Sequence, residues 1–458
     1  MKYRLKFLLV LFLLFSCFNL TALSDNSNIK SDVNKKKDIA DKVLISFING
    51  DYKAVRENLD ETLLKLLSED VLKATWEQTI AAFGAYKGLS DSIDEKIIMN
   101  YDVFYRKIYF ENTTLNTVLS ISKDDKVAGF QMLPIEQNKN VEYVDADYVD
   151  KSKFKEVDIT FDDKILTGKL TIPVEADKKK TPVVILVHGS GPNDLDESIY
   201  YSKPFRDIAY GLSSKGIAVF RYNKRTYADH SINIDSFDIN QETVYDAVEA
   251  VKLIKKLYPD KFKSFYVLGH SQGGYLMPRI AKLSKDADGF ICLAGNARHI
   301  LELMLEQTKY IAEVSDYSET EKQYSNVVLK QLKEQVDRVL NKEYSASTPA
   351  DSLPMNINAK YWLSLQDYNP VEEFKNEKRP ILFIQGGRDY QVTKTDFDLW
   401  KKGLNRPKNK FVFFDDLNHL MQAGNSKSTP KEYETKNFVD KKVIEEIVNW
   451  INAQSSKR

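Results

Sequence analysis

Four short apolar runs rich in β-branched residues punctuate the middle of the chain: PVVILVHG (Pro182–Gly189), GIAVFRY (Gly216–Tyr222), SFYVLGH (Ser264–His270) and GFICLAG (Gly289–Gly295). Between the first three lie segments of helical period, PFRDIAYGLSSK (204–215) and ETVYDAVEAVKLIKKL (242–257). A strand that is apolar on both faces must be covered on both, and parallel neighbours need a crossover long enough for a helix. The alternation therefore predicts an α/β fold on a mostly parallel, doubly wound sheet. EVDITF and LTGKLTIPV add two strands before it, RPILFIQGGRD and KFVFFDDLNH extend it, and VIEEIVNWI (443–451) closes it with a helix. The charged, helix-favouring stretch 300–369 interrupts the alternation late in the sheet. An insertion there reads as a helical cap over the carboxyl ends of the strands, where such sheets bind ligands. These marks delimit a domain over 153–455, preceded by a polar linker over 136–152.

Upstream the period differs. From Ile39 to about Leu89 the pattern is helical, with Val43, Leu44, Phe47 and Ile48 on one face and Leu63, Leu64, Leu67, Val71 and Leu72 repeating it. YDVFYRKIYF (Tyr101–Phe110), TTLNTVLSI (Thr113–Ile121) and KVAGFQML (Lys126–Leu133) read as strands, the last two joined at Lys123-Asp124-Asp125. Helices followed by an antiparallel meander imply a small α+β domain over 39–135. FINGDYKAV, with Trp76 and Gly84 beyond it, resembles the cystatin-like, nuclear-transport-factor-like domain that precedes some exported hydrolases.

Residues 1–24 read as an export signal: Lys2, Arg4 and Lys6 precede the apolar FLLVLFLLF (Phe7–Phe15), which is too short to span a bilayer. Ala22-Leu23-Ser24 offers a cleavage site, whereas LFSC (Leu14–Cys17) resembles a bacterial lipobox, which would leave Cys17 lipidated and the protein anchored to a membrane. Residues 25–38 would then serve as a polar tether. The expected location is outside the cytoplasm: extracellular, periplasmic or membrane-anchored. Lys+Arg and Asp+Glu number 66 each, so the chain lacks the basic excess that nucleic-acid binding requires. Cys292, the one other cysteine, reads as a small buried apolar residue. With no HExxH and no clustered His and Cys, neither a metal nor another cofactor is expected.

The chemistry concentrates around Gly269-His270-Ser271-Gln272-Gly273, which follows an apolar strand and opens a helix-compatible segment. A serine on so sharp a turn is strained and exposed, and the residues two before and two after it must be small, as Gly269 and Gly273 are. A serine hydroxyl needs a base, and the chain has five histidines, at 188, 230, 270, 299 and 419. His419, just past the last strand, follows Ser271 in the order such a fold demands. Asp389, directly after RPILFIQ, is the orienting carboxylate; Asp415 and Asp416 are its rivals. The oxyanion amides fall to Gln272, next after the nucleophile, and to Ser190 or Gly191 in the loop HGSGPNDLDES. His188 reads as structural and His230 as a solvated loop residue. In the cap, His299, Tyr361 and Trp362 are candidates for lining a substrate pocket, while Leu301, Met304 and Leu305 pack.

HGSGPNDLDES, KPFRDIAYGLSSKGIAVFRYNKRT, GHSQGG, GGRDYQVT and LNHL together resemble the α/β-hydrolase superfamily, in particular exported esterases grouped with serine aminopeptidases. The resemblance covers roughly residues 150–455 and implies Ser271, Asp389 and His419 as its triad. Asn193 stands where a histidine is expected in the loop after HGSGP. The implied function is hydrolysis of small carboxylic esters. Peptidase action on short peptides is the alternative, with Glu302, Glu306 or Glu313 gripping a substrate amine. A binding protein, its N-terminal domain holding a ligand or cell-wall partner, is the third reading, and an intact triad argues against it.

Overall fold

The computed structural model describes residues 29–98, 101–134, 143–229, 232–233, 236–315, 317 and 319–455. The export signal, Cys17, the first part of the linker and His230 lie outside them. The chain divides into two units, Met1–Glu142 with Asp316–Val327 and Tyr143–Ser315 with Val328–Arg458.

The first unit begins with four helices, α1 (Ile29–Ile48), α2 (Tyr52–Glu57), α3 (Glu61–Leu66) and α4 (Glu69–Phe83). Asp51, Asp60 and Ser68 cap the last three, each side chain accepting a backbone N–H three residues on. The stretch 29–38, expected as a tether, is the first half of α1. Lys36 is buried there and ion-paired at 2.6 Å with Asp102, a partner remote in sequence that holds the segment to the fold. Four strands follow as an antiparallel meander: β1 (Tyr86–Ile98), β2 (Tyr101–Phe110), β3 (Thr114–Ile121) and β4 (Val127–Pro134). Strand β1 was not expected. Gly84, at φ +84°, ends α4 where the helical pattern was read as running to Leu89. The strand after it is an edge strand with register shifts at Tyr86/Gly88 and Leu89/Ile93, and these erase the two-residue alternation by which strands are recognised. Val43, Leu44 and Phe47 of α1 pack with Phe104, Ile108, Leu115 and Leu119 to form this unit's core.

In the second unit an eight-stranded sheet is laid out as β12-β11-β10-β9-β7-β8-β6-β5. Its strands are β5 (Phe154–Phe161), β6 (Leu166–Pro173), β7 (Thr181–Val187), β8 (Ala218–Tyr222), β9 (Phe262–His270), β10 (Gly289–Leu293), β11 (Ile381–Gly386) and β12 (Lys410–Phe414). The pairs β5–β6 and β6–β8 are antiparallel, and every pairing from β8 to β12 is parallel. Alternate residues face opposite layers. Val184, Leu186, Tyr266, Leu268, Ile291 and Ile384 pack on α5 (Pro204–Ser213) and α15 (Lys441–Ser455). Val183, Ile185, Val267, Phe290 and Phe383 face the other side, where α7 (Tyr245–Leu257), α9 (Met277–Leu283) and α14 (Lys394–Leu404) cover them. Both faces are dry, which is why these strands read as unbroken apolar runs. Short helices α6 (Arg225–Ala228) and α8 (Gln272–Tyr275) follow β8 and β9.

Between β10 and β11 come α10 (Ile300–Val314), α11 (Glu319–Leu340), α12 (Ala359–Leu365) and α13 (Pro370–Phe374). The insertion meets loops at the carboxyl ends of the strands, Gln307 Nε2 donating to Gln391 O at 2.8 Å and Tyr310 Oη to Ser428 O at 3.0 Å, and it meets helix α9, whose Arg279 Nη2 donates to Ser364 O at 2.7 Å.

Candidate active site

Ser271 occupies the single residue between β9 and α8, at φ +52°, ψ −115°. A residue bearing a Cβ resists that conformation at a cost of about 1–3 kcal/mol, so its surroundings must hold it. They do so from two sides: Ser271 N–H donates to Leu293 O of β10, and Tyr275 N–H closes back on Ser271 O, both at 2.9 Å. The flanking glycines permit the crowding. A methyl on Gly269 would lie 2.3 Å from the Gly273 carbonyl, and one on Gly273 would lie 2.5 Å from Val187 O of β7. Cys292, on the neighbouring strand, is buried, and burial pushes its thiol pKa up.

Asp389 and His419 occupy the turns after β11 and β12. His419 Nδ1 donates to Asp389 Oδ2 at 2.7 Å, and both side chains are buried. That leaves His419 Nε2 as the ring's other face. Asp389 is fully engaged: Oδ1 accepts the N–H groups of Gln391 (2.7 Å) and Val392 (3.0 Å), and Oδ2 also accepts Gln385 Nε2 (3.0 Å). The His419 turn is tied by buried Asn418, whose Oδ1 accepts from Leu420 N and Gln422 N at 3.0 Å each. Asp415 and Asp416 are exposed, and Asp416 pairs with Lys442 at 2.6 Å.

His270 supports the same turn from beneath. Its Nε2 donates to His419 O at 3.0 Å, and its Nδ1 lies 2.9 Å from Glu197 Oε2. A carbonyl on one side and a carboxylate on the other favour the charged ring, and Nδ1 meets Glu197 by proximity of charge without hydrogen-bond alignment. Burial alone would lower the His270 pKa, but the Glu197 charge and the acceptors around the ring raise it. Burial likewise would raise Glu197, yet His270 and the Gly189 N–H hold it below the usual carboxylate range.

The loop after β7 carries the other half of the site. It passes against Ser271, a methyl on Gly189 falling 3.1 Å from the serine Cβ. Asn193 Nδ2 donates to three carbonyls in succession, Gly189 O (3.3 Å), Ser190 O (3.1 Å) and Gly191 O (3.1 Å). These peptides are trans, and in a trans peptide N–H and C=O point oppositely. The Ser190 and Gly191 amides therefore face away from Asn193. Gly189 is pinned at both ends, its N–H on Glu197 Oε1 at 2.6 Å and its carbonyl on Lys224 Nζ at 2.7 Å. Lys224 in turn pairs with Glu242, whose Oε2 accepts Gln272 Nε2 (3.1 Å) and Tyr361 Oη (2.7 Å). Among the described residues, neither the Ser190 nor the Gln272 amide donates to another group.

His188 is buried, and burial lowers its pKa to about 4, so it stays neutral while its Nε2 holds Asp194 O at 3.0 Å. His299 caps α10, its Nδ1 accepting Leu301 N–H at 3.3 Å, and burial lowers it too, to about 4. Trp362 is buried in the core, and Tyr361 is buried with its hydroxyl committed to Glu242. Glu302, Glu306 and Glu313 are exposed, the second paired with Arg298 and the third near Lys309. A cavity of about 390 Å³ beside α6 is lined by Arg225, Phe237, Gln241 and Tyr245 among others and takes in none of the three triad candidates. Among the described residues no group of three or more His, Cys, Asp and Glu is placed to hold a metal ion. Sequence reading passed over Glu197, Lys224 and Glu242. The available signal was position: Lys224 lies just past the carboxyl end of a parallel strand, where charged residues meet ligands.

Residues 40–130 match a family described as a protein of unknown function, DUF3887. Esterase EstD of Thermotoga maritima is 40% identical over 387 residues, spanning 84% of this chain and 88% of that protein. Among solved structures, the Pyrococcus furiosus esterase Pf2001 is similar at a TM-score of 0.40 and 19% identity, covering 58% of this chain and 83% of that one. Est1E from Butyrivibrio proteoclasticus is similar at 0.41 and 16%, covering 66% and 99%. With 40% identity to EstD over 84% of its length, the chain belongs to the same family of esterases.

Proposed function

We propose that the protein hydrolyses small carboxylic esters through an acyl-enzyme. Ser271 Oγ attacks the acyl carbonyl while His419 Nε2 takes its proton. Asp389 fixes the tautomer that leaves Nε2 free and stabilises the imidazolium once it forms. The Ser190 and Gln272 amides receive the developing oxyanion, with Gly191 next to them. Collapse expels the alcohol, which regains its proton from His419. Water then repeats the sequence on the acyl-enzyme and releases the acid. The observation that carries this reading is the 2.7 Å His419–Asp389 bond at two strand ends of the sheet that bears, at the end of a third, a serine strained to φ +52°.

The test is turnover of p-nitrophenyl acyl esters beside aminoacyl p-nitroanilides, with a fluorophosphonate probe reporting the nucleophile. Ser271→Ala is expected to lower kcat on esters by about 10³-fold or more and to abolish labelling. Rapid anilide turnover with negligible ester turnover would replace the esterase reading by the peptidase one. Export is part of the proposal, on the basic and apolar opening of the chain. Sequencing the mature N-terminus in the source cell separates cleavage near Ala22-Leu23-Ser24 from a lipid-blocked Cys17.

A further inference from the structure

The oxyanion side of the site contains charges for which the reaction has no direct use. Lys224 is 2% exposed and Glu242 6%, with Nζ 2.5 Å from Oε1. A buried ion pair is a poor source of stability, because desolvation offsets most of the attraction. Two of its three other side-chain contacts point to a different role, since they reach a residue that supplies an oxyanion amide or shares a peptide with one. Lys224 Nζ donates to Gly189 O at 2.7 Å, and that carbonyl shares its trans peptide with the Ser190 N–H. Pinning the oxygen aims the hydrogen the opposite way, and a cation at the oxygen polarises the peptide so that its N–H donates more strongly. Glu242 Oε2 accepts Gln272 Nε2 at 3.1 Å, and the Gln272 backbone supplies the second amide. Glu242 is presented by a π-helical turn, Asn240–Val244, an irregularity that concentrates at functional sites. Tyr361, from cap helix α12, completes the seat of Glu242 at 2.7 Å.

We propose that Lys224 and Glu242 are positioning residues that preorganise both oxyanion amides from one buried ion pair, with Tyr361 holding the pair from the cap. The inference rests on Ser271 being the nucleophile and on the Ser190 and Gln272 amides being the oxyanion donors.

The decisive variant is Lys224→Met with Glu242→Gln. It removes both charges while keeping a Gln272 and Tyr361 acceptor, so neither partner is stranded. On p-nitrophenyl acetate, kcat is expected to fall about 10- to 100-fold with KM held within about threefold, short of the full loss of an oxyanion donor. Affinity for a trifluoromethyl ketone, which forms the tetrahedral adduct, should fall by the same factor as kcat/KM. A folded double variant with kcat within threefold of the parent, or with reduced kcat but unchanged ketone affinity, overturns the proposal. Should the double variant lack a cooperative melt, Tyr361→Phe decides. A three- to tenfold loss confined to kcat supports the proposal, and an unchanged kcat overturns it. Ser271→Ala runs alongside: ester hydrolysis retained there would sink the underlying reading, whatever the pair does.

Discussion

The two sides of the proposed active site, acid–base and oxyanion, are built by different means. The acid–base side draws most of its partners from nearby sequence: Gln385, Gln391 and Val392 surround Asp389, and Asn418 ties the turn that carries His419, with His270 alone reaching that turn from a distant strand. The oxyanion side is anchored by two buried ion pairs assembled from distant segments, Glu197 with His270 and Lys224 with Glu242. The contrast follows the chemistry. Proton transfer needs one ring whose charge can change, held by an acceptor that does not titrate with it. A hole for transient negative charge needs peptide dipoles that do not turn when the charge appears, and fixed charges behind them provide that.

The largest effect should come from the acid–base side. Asp389→Asn keeps the shape but presents an amide to His419 Nδ1, favouring the tautomer with its proton on Nε2. A kcat loss of about 10³- to 10⁴-fold is expected, with the thermal midpoint little changed. A loss under tenfold in steady-state hydrolysis would mean that His419 does not depend on this partner. Glu197→Gln tests the other side and should act on stability more than on chemistry. It strips a buried imidazolium of its counter-charge, at a cost of about 3 kcal/mol or more in urea unfolding. The pH window follows from the signs. His270 is raised, so its share is complete below about 6.5, its unfolded value, and is lost as pH climbs through the higher folded one. Glu197 is lowered, so its share is complete above about 4.5 and is lost as pH falls through the lower folded one. The gap between parent and variant should therefore be widest between about pH 5 and 6.5, and a gap independent of pH would rule out the charged pair.

The same contrast explains what could be read from the chain. Strands β7 to β11 were legible because both faces are buried, and the elbow because Gly269 and Gly273 stand where β7, β9 and α8 leave no room for a methyl. Asp389 and His419 were legible because each ends a strand in the required order. Edge strand β1 was not, since its bulges break the alternation, and the helical state of 29–38 depends on Lys36 finding Asp102 across the fold. Lys224 sits in RYNKRT, which alone looks like a solvated loop. Only the return of the π-turn to Gln272 and the arrival of Tyr361 from the cap turn it into a buried charge. Charged residues are legible where their partners are local, and the oxyanion side uses remote ones.

A buried carboxylate with no ion pair among the described residues sharpens the point. Asp207 of α5 accepts Tyr143 Oη at 2.8 Å and Val439 N–H at 3.1 Å, and burial pushes its pKa up to about 7. Its folded value exceeds its unfolded one, so the native state binds the extra proton and stability declines as pH rises from about 4 to about 7. Asp207→Asn should remove the part of that decline lying between pH 5 and pH 8, about 2–3 kcal/mol, and be the more stable protein at pH 8. The amide fits, because the tyrosine hydroxyl can accept from Nδ2 while Oδ1 keeps the Val439 N–H. Urea midpoints at pH 5 and pH 8 decide it, and parallel slopes for parent and variant would show Asp207 to be ionised throughout.

The smallest effect is expected at Asn193, and it bears most directly on how the oxyanion loop is aimed. Three carbonyls converge on one side-chain amide at 3.1–3.3 Å, long enough that each bond is weak, and Lys224 already holds the first of them. Asn193→Ala should therefore lower kcat only about three- to tenfold, near 1 kcal/mol, with KM little altered. Asn193→Asp separates a donor's role from simple space-filling. It has almost the same shape but turns an acceptor-only carboxylate toward three carbonyl oxygens, so the loop must rotate or the acid must stay protonated. If Nδ2 aims the peptides, the aspartate variant is the slower of the two at pH 8 and recovers toward the alanine variant as pH is lowered and the carboxyl gains its proton. If the loop is aimed by Lys224 and Glu197 alone, the two variants have equal kcat across that range, and Asn193 is reduced to filling space beneath the loop.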